Sequence, residues 1–316
     1  MGHNKMNFRS FEDMVKAVRR GMHQVPTDID AVAFIPRSGI FPASMIALYR
    51  NVPLTDVDSL ANGNFYDTGT TRKVRRPPPG KRPKYLIVDD SVLGGRAMDK
   101  ARSILAPLNE TCTLVYCAIY GAPGWEDKVD FIFEEVGSPR IFEWNFLRHS
   151  RLGEACLDID GVICADPLKE QNDDGEKYRK FLDEAAPFML PMEPVGLIVS
   201  SRLEKYRAQT ENYMSRHGVK YGELVLLDGV TAEERRKGGM HAKFKASVYN
   251  RHKDMHLFIE SDPRQAREIN RLTGKPVICT ATMEFHGESL ARRLRLRCSK
   301  ALRSIRRRVG RLAGRK

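Results

Sequence analysis

The sequence has no C-x-x-C pair, no uncharged apolar run near the roughly 20 residues a membrane span needs, and no apolar signal-peptide core at its N-terminus. Its six cysteines (Cys112, Cys117, Cys156, Cys164, Cys279 and Cys298) stand singly, and the eight histidines do not join them at ligand spacing. These absences argue against a disulfide framework and a zinc site, so the thiols are expected to be reduced and the chain cytoplasmic. Acidic residues are missing from Arg292 to Lys316, where twelve Lys or Arg account for nearly all of the net charge of +13. The excess charge belongs to a tail and not to the folded body.

That tail also lacks aromatic residues to stack on bases, so nucleic acid is not an expected partner. Leu290, Leu294, Cys298, Ala301, Ile305, Val309 and Leu312 recur every three or four residues, which predicts an apolar stripe on a helix otherwise covered by arginines. A basic amphipathic tail over 287–316 suits an anionic membrane surface, met through residues 288–316. Apolar burial and about 1 kcal/mol per basic residue near the headgroups would act together there. The expected location is the inner face of the cell membrane. A content of 41% apolar and 29% charged residues is that of a soluble globular protein, and 316 residues predict two domains with separate cores.

In the first half an amphipathic helix (Phe11, Met14, Val15, Val18) precedes a buried strand over 31–35, which runs into Pro36-Arg37-Ser38-Gly39 and a helix over 41–49. A tight glycine turn with an arginine and free N–H groups, placed between strand and helix, suits an anion. A second apolar strand, Tyr85 to Val88, is expected to end in Asp89-Asp90, followed by Ser91-Val92-Leu93-Gly94-Gly95-Arg96 and a helix from Ala97. Paired carboxylates at a strand end offer acceptors to sugar hydroxyls, and the glycine loop offers donors to a phosphate. Taken singly, each segment is also an ordinary strand-to-helix turn.

Leu86-Ile87-Val88-Asp89-Asp90 with its glycine loop resembles the phosphoribosyl diphosphate (PRPP) motif of type I phosphoribosyltransferases. The resemblance implies a PRPP site made by Arg37, Ser38, Gly39, Asp89, Asp90, Ser91, Gly94, Gly95 and Arg96, with the Arg37–Gly39 turn as pyrophosphate loop. The stretch from Gly63 to Lys84, with Arg72, Lys73, Arg75, Arg76, Lys81, Arg82 and Lys84, then matches the family's mobile hood, expected to close over pyrophosphate. Gly94 and Ala97 stand where the family usually carries hydroxyl residues, which leaves the phosphate to backbone N–H groups, Ser91 and Arg96. Asp58, after a short apolar strand, is the candidate base for an acceptor hydroxyl.

The second half opens with a short strand, Ala155 to Leu157, running into Asp158-Ile159-Asp160-Gly161-Val162. Alternation puts Asp158 and Asp160 on one side, where one can attack phosphorus and the other move a proton. Such a pair also attracts Mg²⁺. Three segments follow, each expected to bring a polar residue to a strand end: Leu197-Ile198-Val199-Ser200-Ser201-Arg202, Lys243-Phe244-Lys245-Ala246 and Leu257-Phe258-Ile259-Glu260-Ser261-Asp262. Together they resemble the four motifs of haloacid-dehalogenase-type (HAD) phosphatases over residues 154–281. The resemblance implies Asp158 as nucleophile, Asp160 as general acid/base, Ser200 as phosphate donor and Lys245, with Lys243 as runner-up, as the phosphate cation. It also implies Asp158, Asp160, Glu260 and Asp262 around the metal, Glu260 standing where the family usually has aspartate. Intervals of about thirty and forty residues between motifs leave no room for a large lid, so the site is expected to be open.

Both halves alternate strands and helices with sites at strand C-termini. The fold expected is therefore α/β: a type I phosphoribosyltransferase domain over 1–150, a HAD-like Rossmannoid domain with minimal cap over 151–286, both with parallel sheets, then the basic tail. A phosphoribosyltransferase leaves a 5-phosphate that a phosphatase on the same chain can remove, with net ribosylation. With Phe142-Glu143-Trp144-Asn145 at the junction, this order resembles bifunctional bacterial enzymes of ribofuranose-containing polysaccharides. That implies PRPP as donor, a sugar hydroxyl of a lipid-linked glycan as acceptor, inversion at C1, and Mg²⁺ as cofactor. A nucleobase salvage enzyme fused to a nucleotidase, and a PRPP-binding regulator with a phosphatase domain, are the alternatives.

Overall fold

A computed structural model describes residues 6–66, 74, 80–229 and 240–287. Arg72, Lys73, Arg75 and Arg76 of the expected hood, and the whole tail 288–316, lie outside the described residues. Among the described residues no helix is long and apolar enough to cross a membrane. The chain is α/β with parallel sheets and divides between Trp144 and Asn145 into two units.

In the first unit the order is β1 (Asn7–Arg9), α1 (Phe11–Gly21), β2 (Ala31–Phe34), α2 (Ile40–Arg50), β3 (Leu54–Asp56), α3 (Val57–Ala61), β4 (Lys84–Val92), α4 (Arg96–Leu105), β5 (Thr113–Gly121), β6 (Phe131–Glu135) and β7 (Arg140–Phe142). Helix α1 begins at a reciprocal cap: Ser10 Oγ accepts from the Asp13 N–H at 3.1 Å, and Asp13 Oδ2 accepts from the Ser10 N–H at 3.0 Å. Five strands pair in parallel in the order β3-β2-β4-β5-β6, and β1 pairs with β7 in a separate parallel ribbon, Phe8 opposite Ile141. Alternation along β4 sends Leu86 and Val88 into a core with Met14, Val18, Phe34 and Ile46, and Ile87 into one with Leu60, Met98, Leu105 and Tyr116. Because β2 lies between β3 and β4, the chain turns from β2 to one neighbour and later crosses to the other. The crevice for a ligand opens at that reversal, beyond the C-terminal ends of β2 and β4.

The second unit runs β8 (Ala155–Leu157), α5 (Glu176–Glu184), β9 (Val195–Leu203), α6 (Arg207–Arg216), β10 (Tyr221–Leu227), α7 (Met240–Arg251), β11 (Leu257–Glu260), α8 (Pro263–Thr273), β12 (Val277–Cys279) and β13 (Phe285–His286). Its sheet has the order β10-β9-β8-β11-β12-β13, parallel except for β13. Here β8 sits at the reversal, with β9 on one side and β11 on the other. Asp262 caps α8, accepting from the N–H groups of Arg264 and Gln265 at 2.7 and 3.2 Å, with Pro263 first in the helix and Gly274 (φ 64) closing it.

Two elements differ from expectation. Strand β4 does not stop at Val88: β5 continues alongside it, pairing Asp89 with Ala118, Ser91 with Tyr120 and Val92 with Gly121. The two carboxylates are thus strand residues on alternate faces. Residues 243–246 are not at a strand end but inside α7, where Ala242, Lys245, Ala246 and Tyr249 share the buried side at helical spacing.

Candidate active sites

At the first reversal the turn after β2 meets the end of β4. Ser38 Oγ donates to Asp90 Oδ1 at 2.6 Å, and Trp144 Nε1–H, just past β7, donates to Asp90 Oδ2 at 2.9 Å. The approach needs glycine at position 39, since a Cβ there would lie 2.6 Å from the carbonyl oxygens of both Ile35 and Val88. The Pro36–Arg37 peptide is cis. Asp89 and Asp90 are both buried, and the Asp90 N–H donates to Asp89 Oδ1 at 2.8 Å. Burial, and then the neighbouring Asp90 charge, push the Asp89 carboxyl up to about 8. Arg140 is buried close by, donating through Nη2 to the Val92 carbonyl at 2.9 Å. Burial lowers its guanidinium below the ordinary arginine value, against the opposing charges of Asp90 and Asp89.

Arg37 and Arg96 are exposed and Ser91 is half-buried. Gly94 (φ 80) and Gly95 (φ 71) take the left-handed conformation, and the space where a Gly94 side chain would stand is open. Asp58 is exposed in the first turn of α3, while Asp56 does the local bonding as that helix's cap, accepting from the Ser59 N–H and the Tyr66 hydroxyl, both at 2.8 Å. Lys81, Arg82 and Lys84 do not join the Asp90 site. They sit at the opposite end of β4, about 20 Å of strand away. There Lys84 pairs with Asp28 at 2.6 Å, Lys81 with Asp30 at 3.8 Å, and Arg82 donates to the Cys112 carbonyl at 2.9 Å.

The second reversal opens into a cavity of about 1160 Å³ whose lining includes Asp158, Asp160, Ser200, Arg202, Lys245 and Asp262. Lys245 reaches it from α7 with all three ammonium protons engaged: by Asp158 Oδ2 at 2.6 Å, Glu260 Oε2 at 2.7 Å and Gln265 Oε1 at 3.0 Å. Burial alone would lower the Lys245 ammonium, but the charges of Asp158 and Glu260 outweigh it and hold it above the ordinary lysine value. Lys243, two residues earlier, is exposed. Asp158 Oδ1 is buried without a hydrogen-bond partner among the described residues, and burial pushes this carboxyl up to about 7 against the pull of Lys245. Asp160 is held by Arg202, whose Nη2 donates to Oδ1 at 2.6 Å. Ser200 is buried, its Oγ accepting from the Arg202 N–H at 3.3 Å.

Among the described residues no three acidic, imidazole or thiol groups form a ready-made metal cage. The unpartnered Asp158 oxygen, with Asp160 and Asp262 on the same cavity, nevertheless fits a hard cation that takes one or two carboxylates and keeps its waters. Glu260 and Asp262 are both engaged: Glu260 Oε2 is on Lys245 and its Oε1 accepts from the N–H groups of Ser261 and Asp262, both at 3.1 Å, while Asp262 Oδ1 accepts from the N–H groups of Arg264 and Gln265. Of these two, Glu260 is the one bonded to Lys245.

Four residues were not assigned from sequence: Trp144, Arg140, Arg202 and Gln265. For Arg202 a signal existed, because it stands two positions past Ser200 and so shares its side of β9. Trp144 was marked only as part of the junction segment, and Arg140 and Gln265 carry no signal, being single residues brought in by tertiary packing.

No protein-family model matches the chain, and no curated protein matches its sequence. Among solved structures it is similar to the purine phosphoribosyltransferase of Pyrococcus horikoshii OT3, at 18% identity over 44% of this chain and 93% of that one, with a TM-score of 0.34. It is also similar to the Helicobacter pylori xanthine-guanine-hypoxanthine phosphoribosyltransferase, at 16% identity over 45% of this chain and 94% of that one, with a TM-score of 0.34. A chain of a Pnkp1/Rnl/Hen1 complex is similar over 79% of this chain and 94% of its own, at 12% identity and a TM-score of 0.27. These likenesses are slight, and the chemistry rests on the residues themselves.

Proposed function

We propose that the chain adds ribofuranose to a lipid-linked bacterial glycan in two steps. Phosphoribose passes from PRPP to a sugar hydroxyl with inversion and release of pyrophosphate, and the 5-phosphate is then hydrolysed. The observation that carries this reading is a contrast between two buried aspartates at two sheet reversals. Asp90 has both oxygens held by neutral donors, whereas Asp158 has one oxygen on a lysine and the other unpartnered. The first suits recognition of hydroxyls and the second suits attack.

In the transfer step Asp89 and Asp90 accept from the ribose hydroxyls and keep the ring oriented as positive charge develops at C1. The Arg37–Gly39 turn receives the departing pyrophosphate, and Ser91, the Gly94-Gly95 backbone and Arg96 receive the 5-phosphate. Asp58 shares no contact with the Asp90 network among the described residues, and no base role is assigned to it. In the hydrolytic step the Asp158 carboxylate attacks phosphorus, Ser200 and Lys245 stabilise the phosphoryl oxygens, and Asp160 gives a proton to the leaving ribosyl oxygen. Asp158, Asp160 and Asp262, with Glu260 beside them, would hold Mg²⁺, which when bound supplies charge against the repulsion between carboxylate and phosphate. Residues 288–316 keep the enzyme near its membrane-borne acceptor at the inner membrane face.

The test is mass spectrometry of an oligosaccharide panel incubated with PRPP and Mg²⁺, using the intact chain and Asp158→Ala. The variant is expected to accumulate a phosphoribosylated glycan that the intact chain converts to a ribosylated one. Consumption of free nucleobases instead would overturn the glycan acceptor and assign the chain to salvage.

A further inference from the structure

Part of the lining of the cavity at the β8 end is not used by the proposed reaction. Phe188 lines it with 63% of its surface exposed, and Asp166, Asn172 and Tyr178 line the same cavity. A lone apolar residue on a protein surface needs no explanation. Phe188 differs because its backbone is fastened to the chain that leads out of the Asp158–Asp160 loop. The Phe188 N–H donates to the Ile163 carbonyl at 2.8 Å, the Met189 N–H to the Val162 carbonyl at 3.1 Å and the Ala165 N–H to the Ala186 carbonyl at 3.0 Å, with Cys164 bridged to Pro187 in the antiparallel sense.

Asp166 stands at the end of that short ladder. Gly161 follows Asp160 directly, and a Cβ at Gly161 would lie 2.7 Å from Asp166 Oδ2. The Asp166 carboxylate is therefore set beside the loop that bears the two aspartates, on the same cavity as the phenyl ring and held by the same backbone pairing. A sugar ring asks for this pair of groups. Its C–H face is apolar and packs on an aromatic face, and its hydroxyls donate to a carboxylate. A lining that only enclosed water would leave a polar side chain here, since an exposed phenyl ring gains nothing from water.

Resting on the phosphatase reading, we propose that Phe188 and Asp166 form a subsite for the closed sugar ring that bears the phosphate. Phe188 stacks on the C–H face of the ring and Asp166 accepts from its hydroxyls, while the phosphate reaches Asp158. An open-chain sugar alcohol presents hydroxyls to Asp166 but no rigid face to Phe188, and a simple alkyl ester presents neither. The two residues thus sort phosphate esters by the shape of the alcohol and take no part in the bonds made and broken.

The experiment measures phosphate release, with Mg²⁺ present, by the full chain, Phe188→Leu, Phe188→Tyr and Asp166→Ala. The esters are methyl β-ribofuranoside 5-phosphate, ribitol 5-phosphate and propyl phosphate. Selectivity is kcat/KM for a sugar ester relative to propyl phosphate, so a general change at the reacting centre cancels. Phe188→Leu is expected to lower selectivity for the ring ester about tenfold, chiefly through KM, and Phe188→Tyr to keep it within about twofold, because leucine is apolar but has no aromatic face. Selectivity for ribitol 5-phosphate should fall about tenfold in Asp166→Ala and hold in Phe188→Leu. An intact chain with no preference for the ring ester, unchanged ring selectivity in Phe188→Leu, an equal loss in Phe188→Tyr, loss on every ester alike, or unaltered sugar selectivity in Asp166→Ala each overturns the proposal. An intact chain that releases phosphate from none of these esters overturns the phosphatase reading itself, and the subsite with it.

Discussion

Trp144 donates its indole N–H to Asp90 Oδ2 at 2.9 Å across 54 positions of chain. With Ser38 on the other oxygen, the carboxylate can rotate only by breaking a bond to a buried charged acceptor. Trp144→Phe keeps the ring and removes this donor. A hydrogen bond to a charged group contributes about 1.5–3 kcal/mol, so the variant should lose tenfold or more in kcat/KM for PRPP at the order-of-magnitude level. Pyrophosphate release at varied PRPP is the measurement, and an unchanged value would show that Asp90 does not need its second donor.

Gly39 offers a sterner test of the same turn. A methyl group there would press on two backbone carbonyls, neither of which can swing aside as a side chain could. Gly39→Ala is expected to cost about 1–3 kcal/mol of stability as an overpacking change. Both tryptophans of the chain, Trp125 and Trp144, lie in the first unit, so their fluorescence in urea reports this unit's unfolding.

Lys245 and Lys243 should behave oppositely. Lys245→Met leaves Asp158 and Glu260 buried without their common cation, a change of about 3–5 kcal/mol. Lys243→Met removes an exposed charge and should stay within about 0.5 kcal/mol. Thermal unfolding of the two variants separates these outcomes, and equal shifts would contradict the buried network.

The pH dependence follows from Asp89. Its carboxyl lies near 3.8 when unfolded and about 8 when folded, raised by burial and by Asp90. Between those values the folded unit holds a proton that the unfolded chain has lost. This contribution to stability therefore falls as pH rises from about 4 to about 8 and levels off above. Asp89→Asn should flatten that slope, and its advantage over the parent should be greatest near pH 8. Urea midpoints followed by tryptophan fluorescence at several pH values check it, and an unaltered slope would remove Asp89 as the source.

Much of this was legible where chemistry is local. The glycine turn before α2 is a signal written within four residues, whereas the Ser10 cap and the Asp262-Pro263 start of α8 came only from the structure. Lys245 was preferred to Lys243 by its place among the four segments, and α7 turns Lys245 inward and Lys243 out. The end of β4 was misread because polarity at Asp89 looks like a strand end, whereas its pairing with β5 continues to Val92. Lys81, Arg82 and Lys84 were misplaced for a related reason: proximity in sequence to a site strand does not say which end of that strand a loop adjoins. Trp144 and Arg202 meet partners 54 and 42 positions away, so these contacts themselves could not be read locally, although the spacing of Arg202 from Ser200 marked its side of β9.

The ribbon of β1 and β7 joins nearly the first and last residues of its unit, Asn7 opposite Arg140. During synthesis, then, the leading strand waits unpaired until more than a hundred later residues have been made. The grip on Asp90 waits with it, since Trp144 follows β7 directly. A chain cut short on the ribosome would carry the glycine turn and both carboxylates and still leave Asp90 Oδ2 without its indole donor, so the hold on that carboxylate is completed only by the last residues of the unit.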